Sequence, residues 1–191
     1  IDLDASTLPS GSGYSVSGNL ITLSGSGNTY ALVGRTNSRS VAVTPGSNAN
    51  VILFAADIAP ASGCAFNMAG AVVGLRLIAD NDITSGTGFA GIQAPSGSSL
   101  TILGSGSLTA TGGSNGAGIG GGNGLSGGSV SITGGMVEAI GKGGGAGVGG
   151  GNGSDGGVVL VDGEGTTLSA TGGTDGFDIG SGNSQISGGI L

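Results

Sequence analysis

The chain has 191 residues, of which 48 are Gly, and its eleven acidic and four basic residues give a net charge of −7. This acidic balance argues against nucleic-acid binding, which requires a basic surface. The sequence has no His and a single Cys, Cys64, which excludes zinc centres of the His/Cys type, Ser-His-Asp and Cys-His catalysis, and an internal disulfide.

The composition nevertheless indicates an ordered chain. The 48 Gly would suit a low-complexity sequence, but 37% of the residues are apolar and only 8% are charged, the reverse of a disordered chain. Gly does not recur at every third position, so a collagen-like helix is excluded. No apolar run reaches the roughly 18–20 residues that span a bilayer. No signal peptide or anchor is visible, so a sequence that begins at Ile1 looks like an excised domain or a mature fragment.

Residues 1–18 are polar and rich in turn-forming residues, and Pro9 disfavours a long strand there. We interpret them as a cap over one end of a repetitive domain. From residue 19 the chain consists of short alternating apolar runs bounded by Gly, Asn and Ser, which is typical of strands. The runs fall into groups of three: 19–25, 29–34 and 40–46; 50–56, 57–59 and 64–70; 73–79, 81–85 and 89–95; 99–104, 108–112 and 117–121; 129–134, 137–141 and 146–150; 158–163, 167–172 and 177–182; and a partial seventh group at 185–191.

A Gly-rich motif repeats in the second half of the chain. The copies GAGIGGGNG, GAGVGGGNG and GFDIGSGN centre on Ile119, Val148 and Ile179, at intervals of 29 and 31 residues. Self-similarity at such a period predicts a solenoid, whose repeats bury their apolar faces only against one another.

The first strands of groups two to six align at a similar period. The aligned residues, spaced by 24, 25, 30 and 29, are Val51, Leu75, Leu100, Val130 and Val159. The sequence therefore predicts an all-β domain: a single-stranded right-handed parallel β-helix over residues 19–191, with about six three-strand coils stacked about 4.8 Å apart. A bundle of polyglycine-type helices is the alternative, which the alternating Ile and Val residues disfavour.

The segments GSLTATGGSNGAGIGGGNG, GGSVSITGG and CAFNMAGAVVGLRLIADND resemble a group of secreted bacterial surface proteins with tandem Gly-rich β-helix repeats, whose domains are described as carbohydrate-binding-like or adhesin-like. The resemblance covers residues 14–182. It implies a right-handed β-helix and an extracellular location, and it supplies no catalytic residues. The chain departs from the pattern at Phe177-Asp178-Ile179, where the earlier copies have Ala-Gly-Ile or Ala-Gly-Val.

Three carboxylates form a candidate calcium site. Asp57 follows Val51 by six residues, and Asp80 and Asp82 flank the equivalent position after Leu75. On adjacent coils they would lie about 5 Å apart, and Ca²⁺ prefers such oxygen ligands. The alternative is that these are solvated residues at strand ends, where Asp and Asn favour turns.

Asn residues recur at the Gly-rich corners, at positions 123, 152 and 183. Because the intervals match the coil period, we expect Asn123, Asn152 and Asn183 to stack as a structural ladder that satisfies backbone groups at the turns.

An enzymatic function needs paired carboxylates or a strong base near a metal ion. The available bases are Arg35, Arg39, Arg76 and Lys142. Only Arg76 lies close in sequence to the candidate carboxylates, so no convergence of acid, base and metal emerges. A pectin-acting enzyme that uses Arg76 with the three carboxylates stays open as an alternative.

Sugar-binding surfaces often present aromatic rings. Of the few aromatic residues, we expect Tyr14 and Tyr30 to be exposed and the four Phe residues to pack in the core or at coil ends. A glycan would then be bound by flat polar faces that include Thr109 and Thr111.

Taken with the resemblance, these features favour a non-catalytic extracellular module of a bacterial surface protein. We expect it to be a monomeric part of a larger protein, without membrane insertion, that binds a polysaccharide or a cell-surface glycan. The alternatives are a structural stalk of a cell-surface adhesin and a polysaccharide-acting enzyme of the pectin lyase type.

Overall fold

The computed structural model describes residues 1–182, and the predicted partial seventh coil and Asn183 lie outside this range. Within it the protein is all-β and forms a parallel β-helix, as the sequence predicts. No helix in residues 1–182 is long and apolar enough to cross a bilayer.

The strands are short and follow one another around the coil. In chain order they are β1 (Tyr14–Ser17), β2 (Leu20–Leu23), β3 (Thr29–Thr36), β4 (Ser40–Val43), β5 (Asn48–Ile58), β6 (Phe66–Asn67), β7 (Val72–Ile78), β8 (Asp80–Thr84), β9 (Ile92–Gln93), β10 (Ser99–Gly104), β11 (Ser107–Ser114), β12 (Ile119–Gly120), β13 (Ser129–Ile132), β14 (Met136–Lys142), β15 (Val148–Gly149), β16 (Val158–Val161), β17 (Thr167–Thr171) and β18 (Ile179–Gly180).

The coil has three faces. The first face stacks β5, β7, β10, β13 and β16, and the second stacks β8, β11, β14 and β17. The long strand β5 bends across the corner and pairs with both β7 and β8, and β3 pairs with β5 on its other side. The third face stacks β2, β4, β6, β9, β12, β15 and β18, and β1 lies antiparallel on β2.

The core is a column of aliphatic side chains along the axis of the coil. Every second residue of a strand points inward, and the pairing places these residues directly above one another. On the first face such a column runs through Tyr30, Val51, Leu75, Ile102 and Ile132, all of them buried. Their stacking removes apolar surface from water at each level, so each coil stabilises its neighbours.

The register differs from the sequence alignment at one level. Leu75 pairs with Ile102, and Leu100 pairs with Val73, so the predicted match of Leu75 with Leu100 is wrong by two residues. An even shift keeps the same residues inward, which is why the predicted core survives the error.

The first groups of strands also differ from the prediction. The run 19–25 contains β2, which lies on the third face with β4, whereas the grouping into threes makes it the counterpart of the run 50–56. The run 57–59 is not a separate strand, because its first two residues are the end of β5. β3 and β5 continue through the corner without a break, so each of them covers two faces. A count of separate apolar runs therefore assigns strands of these coils to the wrong faces.

The corner between the first and second faces has a tight backbone. Ala55 and Ala79 have φ values of 49° and 58°, the left-handed region that costs a non-Gly residue about 1–2 kcal/mol. Gly135, with a φ of 84°, occupies the equivalent corner position on a later coil. The corner thus positions the residues after it, Asp57 on β5 and Asp80 on β8, at the start of the second face.

Residues 1–5 cover the N-terminal edge of β3. The Leu3 N–H donates to the Val33 carbonyl at 2.8 Å, and the Arg39 guanidinium donates to the carbonyls of Leu3 and Ala5 at 2.5 and 2.7 Å. With β1 on β2, the predicted cap region therefore occupies the edges of both sheets, where unpaired strands would otherwise invite association.

Candidate functional site

The second face carries an unbroken row of hydrogen-bonding side chains. Each residue in the row pairs with the next on the neighbouring strand, and each points outward: Arg35, Asp57, Asp82, Thr109, Glu138 and Ser169. We call this set the polar row. Its members follow one another at the strand spacing of about 4.8 Å, so the row extends along the axis of the coil.

Two clefts open beside the N-terminal half of the polar row. One has a volume of about 380 Å³ and is lined by the corner residue Ala55 together with Asp57, Asp80, Ser107 and Thr109, among others. The other has a volume of about 610 Å³ and lies between residues 3–6 and residues 35–39. Because Asp57 lines both clefts, the two form adjacent parts of one surface.

Arg35 and Asp57 form an ion pair, with the Arg35 Nε atom 2.5 Å from the Asp57 Oδ2 atom. The Arg35 side chain is 80% exposed and that of Asp57 is 25% exposed. A pair this exposed contributes about 0–1 kcal/mol, so a ligand can replace either partner at little cost.

The candidate calcium residues lie together, as the sequence suggests, but each has a protein partner. Asp57 pairs with Asp82 on the next strand, and Asp80 lies two residues before Asp82 on the same strand. Asp80 accepts a hydrogen bond from the Ser107 hydroxyl at 2.6 Å, and Asp82 accepts one from the Thr84 hydroxyl at 3.0 Å. Among residues 1–182, no three His, Cys, Asp or Glu residues form a group that could hold a metal ion.

Arg76, the base that the sequence places nearest to these carboxylates, makes no ion pair with them. Arg76 lies on β7 of the first face and points outward, across the corner at Ala79 from Asp80. Lys142 is at the end of β14 and is exposed. The base that contacts the carboxylates is Arg35, which lies inside β3 but one residue beyond the predicted run 29–34.

The exposed aromatic residues are not the expected ones. Tyr30 is buried, and its hydroxyl donates to the Gly13 carbonyl at 2.7 Å. Phe54 and Phe177 are instead 48% and 58% exposed. Phe66 is fully buried in the core, in line with the expectation. Val51 and Leu53 point inward, so the alternation of the strand places Ile52 and Phe54 on the outside. This alternation is the sequence signal for the exposure of Phe54.

The Asn residues at the Gly-rich corners follow one another along the third face. The Asn152 Nδ2 atom lies 3.5 Å from the Asn123 Oδ1 atom, the outer limit of a hydrogen bond. A stronger contact comes from Asn115, whose Oδ1 accepts from the Gly144 N–H at 3.2 Å. Asn183, the third predicted member of the ladder, lies outside the described residues.

Cys64 sits beside the third face and is not a reactive thiol. Burial raises the pKa of the Cys64 thiol from 9.0 to about 12, against a smaller opposite effect of hydrogen bonds from Ser85 and the backbone of Phe66 and Gln93. The thiol is therefore protonated at neutral pH, whereas the nucleophilic form of Cys is the thiolate.

The second face offers an extended set of hydrogen-bonding groups. Carboxylates accept hydrogen bonds, hydroxyl groups donate and accept them, and the Arg35 guanidinium donates several. An extended row of such groups can satisfy a ligand that carries many hydroxyl groups. Comparisons of the chain with protein-family models, with curated proteins and with solved structures gave no match, so this geometry, together with the repeat resemblance, carries the functional argument.

Proposed function

We propose that this protein is a non-catalytic module that binds a glycan along the polar row of the second face. The single observation that supports the proposal most strongly is the continuity of the row: Asp57, Asp82 and Thr109 are directly paired neighbours beside the two clefts. A linear ligand with a hydroxyl group at regular intervals matches such a linear array of donors and acceptors.

The resemblance of the Gly-rich repeats to those of secreted bacterial surface proteins supports an extracellular location for the module. The net charge of −7 agrees with a ligand that is not nucleic acid. We propose that the module presents its second face to a polysaccharide or a cell-surface glycan.

The test is a glycan array probed with the purified protein, first with Ca²⁺ and then with a chelator. We expect selective binding of a glycan and no effect of the chelator, because the three carboxylates already have protein partners. Loss of binding on chelation would instead indicate a metal-dependent site at Asp57, Asp80 and Asp82.

Variants locate the site. Asp82→Asn and Thr109→Ala should each weaken binding roughly tenfold, the effect of about 1.4 kcal/mol. Asp175→Asn and Thr87→Ala are matched controls, since both residues are exposed and lie outside the polar row. No binding to any glycan would favour a structural stalk, and release of shorter or unsaturated products from a polysaccharide would favour an enzyme.

A further inference from the structure

The first face presents an apolar patch on its outer side. Its members are contiguous because they pair in register on four neighbouring strands: Val33, Ile52, Phe54, Ile78, Leu103 and, at the centre, Arg76. We call this set the first-face patch. Phe54 pairs with Val33 on one side and with Ile78 on the other, and Arg76 pairs with Ile52 and Leu103.

Exposure distinguishes this patch from ordinary surface apolar residues. Single exposed apolar side chains need no explanation, whereas a contiguous group of them is a candidate interaction surface. Phe54 is 48% exposed, the other apolar members are half-buried, and Arg76 is exposed. Val33 lies on β3, the edge strand that residues 1–5 cover, and the other members lie on the three strands that follow it.

The Arg76 guanidinium is unpaired in the part of the chain that the structure describes. Among residues 1–182, no carboxylate lies within ion-pair distance of its guanidinium and no acceptor lies within hydrogen-bond distance. Arg35 and Arg39, by contrast, are bound to Asp57 and to the carbonyls of Leu3 and Ala5. Arg76 is therefore a free planar donor on an acidic protein, and such a group recognises carboxylates with paired hydrogen bonds.

The surface next to Arg76 is low and polar. Gly74 lies two residues before Arg76 on β7, and it pairs with Asn50 on one side and Thr101 on the other. A Cβ atom at Gly74 would lie 3.0 Å from the Asn50 Oδ1 atom. The Asn50 amide therefore lies beside the position that a Gly74 side chain would take, and this amide and the Thr101 hydroxyl can both bond to hydroxyl groups of a ligand.

The size of the patch selects the class of ligand. Four strands at about 4.8 Å, each with two outward positions about 6.7 Å apart, cover on the order of 250 Å². A stable protein partner needs about 800 Å² on each side, so a protein interface does not fit within the patch. A sugar ring does, since its apolar face packs on an aromatic ring.

We propose that the first-face patch binds an acidic saccharide, with the apolar face of a uronate ring on Phe54 and its carboxylate on Arg76. Phe54 and Arg76 are diagonal neighbours, about 8 Å apart by the strand spacing and the rise along a strand, so one ring and its carboxylate bridge them. The proposal rests on the proposed function in taking the ligand to be a saccharide, and it adds a second surface and a charge preference.

The experiment uses a hexasaccharide of alternating glucuronate and N-acetylglucosamine and the methyl ester of the same hexasaccharide, with binding followed by isothermal titration. We expect the free acid to bind and the ester to bind roughly tenfold more weakly, the effect of one charged hydrogen-bonded contact. Arg76→Gln and Phe54→Ala should each reduce binding of the free acid by a similar factor.

Matched controls exclude general effects of charge and aromatic content. Lys142→Gln removes another exposed cation, and Phe177→Ala removes another exposed aromatic ring. Both should bind like the wild type, and all four variants should melt at similar temperatures because every side chain involved is exposed. Unchanged binding by Arg76→Gln and Phe54→Ala, or equal binding of acid and ester, would overturn the proposal.

The outcomes separate this proposal from the proposed function. If neutral glycans bind and only Asp82→Asn and Thr109→Ala weaken them, the polar row is the site and the first-face patch is not. If the uronate binds and depends on Phe54 and Arg76 but not on Asp82, the patch is the site and the polar row is not. A dimer in sedimentation that Phe54→Ala dissociates would also overturn the saccharide proposal, since a second copy would then cover the patch.

Discussion

The side-chain amide of Asn81 accepts a hydrogen bond from the backbone N–H of Ala56, 3.0 Å away on the preceding coil. The Asn81 Nδ2 atom donates in the other direction, to the Ser107 carbonyl on the following coil at 2.9 Å. Asn81 is 5% exposed and stands in an otherwise apolar inward column. It therefore links three levels of the solenoid through the corner that positions the polar row.

Asn81→Ala should lower the free energy of unfolding by about 1–3 kcal/mol, because it leaves the buried Ala56 N–H without an acceptor. Asn50→Ala, on the exposed side of the first face, is the matched control and should change stability by no more than about 0.5 kcal/mol. Denaturation in guanidinium chloride measures both. Equal small effects of the two substitutions would show that the Asn81 bridge does not stabilise the corner.

Gly149 illustrates why the Gly-rich motif recurs. Its φ is 142°, and a Cβ atom there would meet the Gly180 carbonyl oxygen at 1.8 Å. Gly149→Ala should therefore cost about 4 kcal/mol or more, since backbone on the next coil would have to move. Gly153 also has a positive φ, of 73°, but open space around its Cβ position, so Gly153→Ala should cost only about 1–2 kcal/mol. Thermal unfolding of the two variants checks this order.

Ile132 tests the inward assignment. It is fully buried on β13, whereas its neighbour Ser131 points outward. Ile132→Asp should lower stability by more than about 4 kcal/mol, because the buried carboxylate has no partner. Ser131→Asp introduces the same charge on the surface and should stay within about 0.5 kcal/mol. A folded and cooperatively melting Ile132→Asp protein would contradict the assignment; Ile119→Asp repeats the test on the third face.

Cys64 should resist alkylation in the folded protein. Its thiol pKa is raised from 9.0 to about 12 by burial, so at pH 8 iodoacetamide should react slowly with the native protein and rapidly after unfolding. A fast native reaction at pH 8 would show that the thiol is accessible.

The same shift predicts a pH dependence. The unfolded chain releases the thiol proton above pH 9.0 while the folded chain retains it until about pH 12. The folded state therefore binds more protons in that window, and stability should fall as pH rises from 9 to 12. Cys64→Ala removes this contribution, so the wild type and the variant should differ in slope only above pH 9.

The solenoid and most of its core follow from the sequence, because period-two alternation and a period of 24–31 residues are local properties of the chain. Val51, Leu75 and Ile132 are inward by alternation alone. The register of Leu75 with Ile102 is not local: it depends on the length of each corner, which pairing across coils decides.

The sequence by itself determined the fold class, the inward residues and the neighbourhood of Asp57 and Asp82. Only the tertiary structure decided which outward residues meet. It joined Arg35 to Asp57, separated Arg76 from the carboxylates by one corner, and turned Asn81 inward. Side-chain partners across coils are 20 to 30 residues apart in sequence, so they depend on corner geometry and register, which local patterns do not encode.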